Sequence, residues 1–445
     1  MLQHSSLPRR HARPASADGD NGLHIQAPTS DNAPVNDAPE RTDALSSSSN
    51  GSGAIRKAPP KILFLDGVRG LAAIFVVTQH SGYMSDINLG ACAVDIFFVL
   101  SSFLLTMLFY KKSAQLLAQN ASLRKWGYTL ADYFSKRFFR VYPLFALVAV
   151  VIWMLPRAAK KRYYVFHDPD HYDLFKVLTF DFPSRYHVFW TLPLEIAYYF
   201  LIPVFVLAVL RLRCIWWVPF IPLYAWIVYA GLFSYRTSHY PLRPHIPTFL
   251  SGSMAAVVFV KLDAWLQHSA FQFRKWHMLV VRGVEGVTLA VLLSVCFRGL
   301  FFHWVKVNPV PQTPGFPFVS VLVTILIVIE MLWPSPLSSA MEWSVLRYWG
   351  KISFSVYLLH SFVIYNDAIR HQKNYYDKLV AHFGLICLLA TASYHLVEYP
   401  SQLLAQRISK QLVTREAAGG TPVPRATYLP VAIKANVEEQ HVNAA

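Results

Sequence analysis

Charged side chains are scarce in this 445-residue chain, only 15% of it against 54% hydrophobic residues. With a mean hydropathy of +0.33, that balance excludes an ordinary soluble globule and fits a chain whose solvent is largely lipid. Cysteine is scarcer still. Cys92, Cys214, Cys296 and Cys387 are scattered one per apolar region without a CxxC spacing. They read as small packing residues, and neither a disulfide framework nor a metal site is expected. No internal repeat is found, which lowers the expectation of an inverted-repeat transporter. Acids are short too: 25 Asp and Glu against 41 Lys and Arg leave a net charge of +16. The excess is no nucleic-acid footprint. Residues 1–60 hold six basic and six acidic side chains, and the segment after Pro400 holds five and three. The surplus sits in the apolar body and its short loops, where positive charge sets orientation.

What the chain does have is a series of apolar runs near twenty residues, the length that crosses a bilayer. Ten candidate spans fall at 62–80, 91–110, 138–156, 188–210, 215–233, 245–262, 279–298, 316–333, 349–366 and 378–397. The expected fold is therefore an all-α polytopic membrane helix bundle at residues 61–400. Flanking it are a disordered cytosolic tail at 1–60, containing SSSSNGSG, and a cytosolic C-terminal tail at 401–445, disordered after about 411. The N-terminal tail lacks the apolar core of a signal peptide, so the first span would act as an uncleaved anchor. Placing both termini in the cytosol puts Lys and Arg there in roughly a two-to-one excess, although the basic 157–187 loop counts against it. Asn50-Gly-Ser and Asn120-Ala-Ser match the glycosylation pattern but then face the cytosol, where it is unused. A secretory-pathway or plasma membrane is the expected location.

Within the first span, KILFLDGVRGLAAIFVVTQHSG, Arg69 and His80 stand eleven residues apart. On a helix that is about three turns and roughly 16 Å, so both side chains share a face at different depths. Ionisable groups inside a membrane segment cost roughly 2.5–3.5 kcal/mol each on insertion scales, which calls for a reason. A bland reading remains open, with Arg69 snorkelling and His80 capping the segment. Asp95, in AVDIFFVLSSFLL, projects to a depth like that of His80, where a carboxylate could orient an imidazole or simply favour a helix N-terminus. Arg137 and Arg140, in KRFFRVYPLF, are three apart on one face. They suit positive-inside anchoring or, with Arg69, a clamp for phosphates. Glu195, beside a Pro193 expected to bend its helix, and His360, in ISFSVYLLHSF, also project toward the His80 end. Ser353 and Ser355 read as helix-packing residues. The aromatic loop at 162–187 could line an acceptor site or form an interfacial belt, and Asp168-Pro-Asp170-His171 within it is no strong metal motif.

These blocks together resemble the acyltransferase 3 family of integral-membrane acyltransferases, over about 62–400. FLDGVRGLAAIFVVTQH matches the family's first-helix signature at Arg69 and His80. AVDIFFVLSSFLL, KRFFRVYPLF, FWTLPLEIAYYFLIP, ISFSVYLLH and HLVEYP follow in family order. The resemblance implies transfer of an acyl group, often acetyl, from acyl-CoA as co-substrate to a hydroxyl of a sugar, glycolipid, polysaccharide or small metabolite. It also implies a catalytic His80, with Arg69, Arg137 and Arg140 supporting donor binding. The expected partners are thus acyl-CoA, a hydroxyl-bearing acceptor and the bilayer, with no nucleic acid and no metal. Ser102 departs from the pattern, standing where a Gly is usual. So do Pro193 and Ile196, which leave Glu195 as a single carboxylate where the family has two. With no soluble catalytic domain after the membrane body, the acceptor is expected to reach the membrane site directly. The competing reading is a proton-coupled transporter or flippase in which the same histidines and carboxylates relay protons.

Overall fold

In lipid, backbone donors and acceptors must be satisfied internally, and continuous apolar runs near twenty residues, rich in Leu, Val, Ile and Phe, meet that need as helices. The computed structural model describes residues 63–84, 89–164, 172–181, 187–233, 242–269, 273–297, 299–304 and 317–418, and no strand occurs among them. The main helices are α1 (Leu63–His80), α2 (Leu89–Ala118), α3 (Leu123–Met154), α4 (Thr191–Arg211), α5 (Trp217–Phe233), α6 (Ile246–His268) and α7 (Lys275–Cys296). They continue with α8 (Pro317–Leu332), α9 (Pro336–Met341), α10 (Ser344–Lys351), α11 (Ser353–Ile364), α12 (Tyr375–Ser393) and α13 (Tyr399–Ala418). A π-helical segment, Tyr394–Glu398, joins α12 to α13. The expected N-terminal tail and the chain beyond 418 lie outside the described residues.

Among the described residues, seven helices are long and apolar enough to cross a membrane. The other three expected spans fall on α1, α8 and α11. The 16-residue α8 and 12-residue α11 are shorter than the roughly 20 residues a full crossing needs. The apolar run of α1 is interrupted by Asp66, Arg69, Gln79 and His80. The protein is an all-α integral-membrane bundle. Its axis is α2, which packs on α1, α4, α6 and α8 and buries 72% of its most apolar window. By contrast α5 and α7 bury 22% and 28% of theirs. They turn Ile221, Phe233, Leu279 and Val287 outward, as lipid-facing helices do.

Interfaces at the centre rest on small residues and hydroxyls, the usual means of joining helices in lipid. Ser102 donates to the Phe98 carbonyl of its own helix (2.8 Å) and faces Gly252 of α6. A Cβ built on Gly252 would lie 2.1 Å from the Ser102 hydroxyl. Thr106 of α2 donates to Ser253 of α6 (2.8 Å), which also bonds the Tyr198 hydroxyl of α4 (2.8 Å). A second polar knot ties α7, α8 and α9: Arg282 pairs with Glu285 and with Glu330 (3.3 Å), and donates to the Trp333 carbonyl (2.7 Å). Glu330 in turn accepts from the Ser335 and Ser338 amides at the start of α9 (3.0 and 3.1 Å).

The C-terminal region differs from expectation. Helix α13 continues to Ala418 because it docks along α3. Lys125 pairs with Glu416 (3.4 Å) and Arg124 reaches the Arg415 carbonyl (3.5 Å) near the Ser122 cap of α3. Pro193 also differs. It occupies the third position of α4, just after the 3-10 turn His187–Trp190, in the first helical turn. Amides there lack intrahelical acceptors in any case, so proline is tolerated.

Candidate active site

The DGVRG run sets Arg69 in place. Gly70 of α1 and Gly350 of α10 let two backbones meet: a Cβ on Gly70 would fall 1.9 Å from the Leu346 carbonyl oxygen, and one on Gly350 1.8 Å from that of Asp66. The short α10 is thereby pressed against the turn that carries Arg69. Asp66, one turn earlier, pairs with the guanidinium at 3.6 Å.

Arg69, Arg137 and Arg140 line one cavity of about 190 Å³. Ser101 of α2, Glu195 and Tyr199 of α4, and Ser353 and Tyr357 of α11 share its wall. Ser101 donates to the Glu195 carboxylate, and Tyr199 lies beside it. Three guanidinium groups against one carboxylate leave the lining with a surplus of positive charge. The buried Nε of Arg137 has no hydrogen-bond partner among the described residues. A cavity so furnished is suited to an anion, and the planar forks suit phosphate oxygens.

At the end of α1 stands a histidine pair. His80 Nδ1 lies 2.6 Å from His360 Nε2, with ring centroids 4.8 Å apart and planes inclined by 13°. The other nitrogen of His360 meets the Tyr357 and Val356 carbonyls at 2.8 and 3.1 Å. A carbonyl can only accept, so His360 Nδ1 carries the proton and, in the neutral ring, Nε2 is an acceptor. His80 must then donate from Nδ1, which leaves the lone pair on its own Nε2. His360 is fully buried, whereas His80 is exposed at the helix end. Tyr357 connects the two features: it lines the arginine cavity, its carbonyl holds His360, and its hydroxyl donates to the Val188 carbonyl (3.0 Å).

The seven residues expected to act are therefore divided. Arg69, Arg137, Arg140 and Glu195 come together in the cavity, and His80 pairs with His360 beyond it. Glu195 projects among the arginines, where the sequence placed it with the histidines. Asp95 is buried on α2 but does not line the cavity. His360 meets the His80 imidazole at hydrogen-bonding distance. The loop residues Asp168, Asp170 and His171 lie outside the described residues. Sequence reasoning missed Ser101, Tyr199 and Tyr357, hydroxyl residues that read as ordinary helix content. It gave Ser355 only a packing role, whereas Ser355 donates to the buried Glu398 of the π segment.

A family model for the acyltransferase domain, Acyl_transf_3, matches residues 62–393. The chain belongs to the acyltransferase 3 family. It is similar to the peptidoglycan O-acetyltransferase OatA of Listeria monocytogenes, 26% identical over 68% of this chain and 49% of that protein. It is similar also to YrhL of Bacillus subtilis, provisionally named a peptidoglycan O-acetyltransferase, with 25% identity over 76% of this chain and 54% of that one. The chain thus spans about half the length of these curated relatives. A shorter stretch, 21% of the chain, is 33% identical to protein 2 in the picA locus of Rhizobium radiobacter. No solved structure matches the chain. In this acyltransferase 3 member, the matched region contains the arginine cavity and the histidine pair.

Proposed function

We propose that the protein is a membrane O-acetyltransferase that moves an acetyl group from acetyl-CoA to a hydroxyl of a carbohydrate acceptor. The observation that carries this reading is the histidine pair, whose hydrogen bonds set the tautomer of His80 at the far end of the helix that brings Arg69 to the cavity. Family membership and the names of the two bacterial relatives support the reaction class.

In this reading Arg69, Arg137 and Arg140 hold the phosphates of the CoA head. Glu195, held by Ser101, fixes the guanidinium groups in the cavity wall. The pantetheine arm runs past Tyr357 toward His80. His80 Nε2 takes the proton from the acceptor hydroxyl as its oxygen attacks the thioester carbonyl. A C–O bond forms, the C–S bond breaks, and the departing CoA thiolate recovers the proton from the imidazolium. His360 orients the imidazole, because its Nε2 accepts from His80 Nδ1 and stabilises the imidazolium while that proton is held.

The test is purified full-length protein in lipid nanodiscs with labelled acetyl-CoA and a carbohydrate acceptor. Transfer, or slow hydrolysis without acceptor, is expected from the wild type. His80→Ala should lose about 10²–10⁴-fold, the usual contribution of general-base assistance. Wild-type turnover by that variant would remove His80 from the chemistry. Substrate-driven proton uptake with neither transfer nor hydrolysis would replace the enzyme reading with transport.

A further inference from the structure

Just past His80, helix α1 closes in a cap that fixes the path of the next turn of chain. The Gly82 amide bonds the Gln79 carbonyl (3.1 Å) and the Tyr83 amide bonds that of Thr78 (3.3 Å), with Gly82 at φ +76°. This is the paired bonding that closes a helix on a left-handed glycine, and it holds Tyr83 in a set relation to His80. The Tyr83 hydroxyl lies 3.0 Å from His382 Nδ1 on α12. Its ring meets Tyr375 edge-on (centroids 5.5 Å) and lies over Phe383 at 6.4 Å.

Four polar atoms at this end are buried with no partner among the described residues. They are His382 Nε2, Gln79 Oε1 and Ser81 Oγ on either side of His80, and Ser361 Oγ beside His360. His382 itself is 1% exposed. A buried donor or acceptor left unpaired loses its hydration without compensation. Of the four, His382 Nε2 belongs to the ring cluster around Tyr83, and a bound molecule at that cluster would complete its hydrogen bond. Whichever nitrogen of His382 carries the proton, Nε2 either donates or accepts, and a hydroxyl can answer both.

We propose that Tyr83, Tyr375, Phe383 and His382 form the acceptor subsite, taking a pyranose ring against the aromatic faces with a hydroxyl on His382 Nε2. The half-exposed Tyr375 ring (56%) turns aside to admit it. A sugar is the ligand class that needs both an apolar platform and several hydroxyl partners at one spot. This rests on the proposed transferase reading, since it puts the acceptor one turn of chain from His80.

The experiment uses full-length protein in nanodiscs, with a soluble β-1,4-linked N-acetylglucosamine tetramer as the probe. Equilibrium binding of the tetramer is measured for wild type, Tyr83→Phe and His382→Gln, and binding of acetyl-CoA is measured in parallel to report a folded bundle. Each substitution should weaken tetramer binding about tenfold and leave acetyl-CoA affinity unchanged. Tetramer affinity equal in all three proteins, or no binding by the wild type, overturns the subsite. If binding is lost in the variants while no protein transfers acetyl groups, the subsite stands and the transferase reading falls. If the variants transfer acetyl groups with a wild-type acceptor KM, the subsite falls and the transferase reading stands.

Discussion

The 2.6 Å contact between His80 Nδ1 and His360 Nε2 joins residues 280 positions apart in the chain. Its direction is fixed from behind, by the carbonyls of Tyr357 and Val356. The His360 ring cannot turn Nδ1 toward a substrate without breaking its hydrogen bonds to both carbonyls and to His80.

Groups that act as a unit lose little more when removed together than when removed singly. His360→Ala should therefore lower kcat about ten- to a hundredfold with the acetyl-CoA KM unchanged. The double variant with His80→Ala should be no slower than His80→Ala alone. Initial rates at saturating donor read both outcomes, and multiplicative losses would mean that the two rings act independently.

In the cavity, replacing a fork by a point charge tests what the arginines hold. Arg137→Lys should raise the acetyl-CoA KM about tenfold while changing kcat little. With acetyl-pantetheine, which lacks the phosphates, wild type and variant should give the same KM. A difference that persists on the truncated donor would assign Arg137 to some other part of the molecule.

The α1–α10 contact gives a stability prediction with an internal control. Gly350→Ala drives a methyl group into the Asp66 carbonyl and should cost at least about 1–3 kcal/mol, the usual penalty of overpacking. Gly283→Ala on α7 meets nothing within 4 Å and should gain roughly 0.5–1 kcal/mol from helix propensity. Thermal unfolding in detergent reads both. Equal shifts would show that α10 moves aside freely.

The proposed division of labour also predicts sidedness. The roughly 16 Å between Arg69 and His80 on one straight helix separates the donor head from the base. In sealed vesicles of known orientation, transfer should require acetyl-CoA on one face and acceptor on the other. Transfer with both supplied to the same face would place donor and acceptor on a common side and leave the chemistry at His80 intact.

Much of the site was legible because helical periodicity is. Eleven residues return a side chain to nearly the same face, and three residues do so for Arg137 and Arg140. Depth was harder to read. Glu195 was given a level from an assumed straight span, but the 3-10 turn His187–Trp190 leads into α4 and the carboxylate meets the arginines. Glu398 was hidden for another reason. It lies on a π turn, whose wider spacing breaks the periodicity used to assign faces. The end of α13 was missed because its residues are polar, and the contact with α3 that keeps it helical is tertiary.

Ser102 meets a glycine of the neighbouring helix at position 252. A Cβ at 252 would also lie 2.6 Å from the Val99 carbonyl oxygen, so the close approach of α2 and α6 requires glycine at 252 whatever stands at 102. The bare backbone of α6 is what leaves room for a hydroxymethyl group on α2, so Ser102→Gly should be tolerated by itself, whereas Gly252→Ser should not be rescued by it.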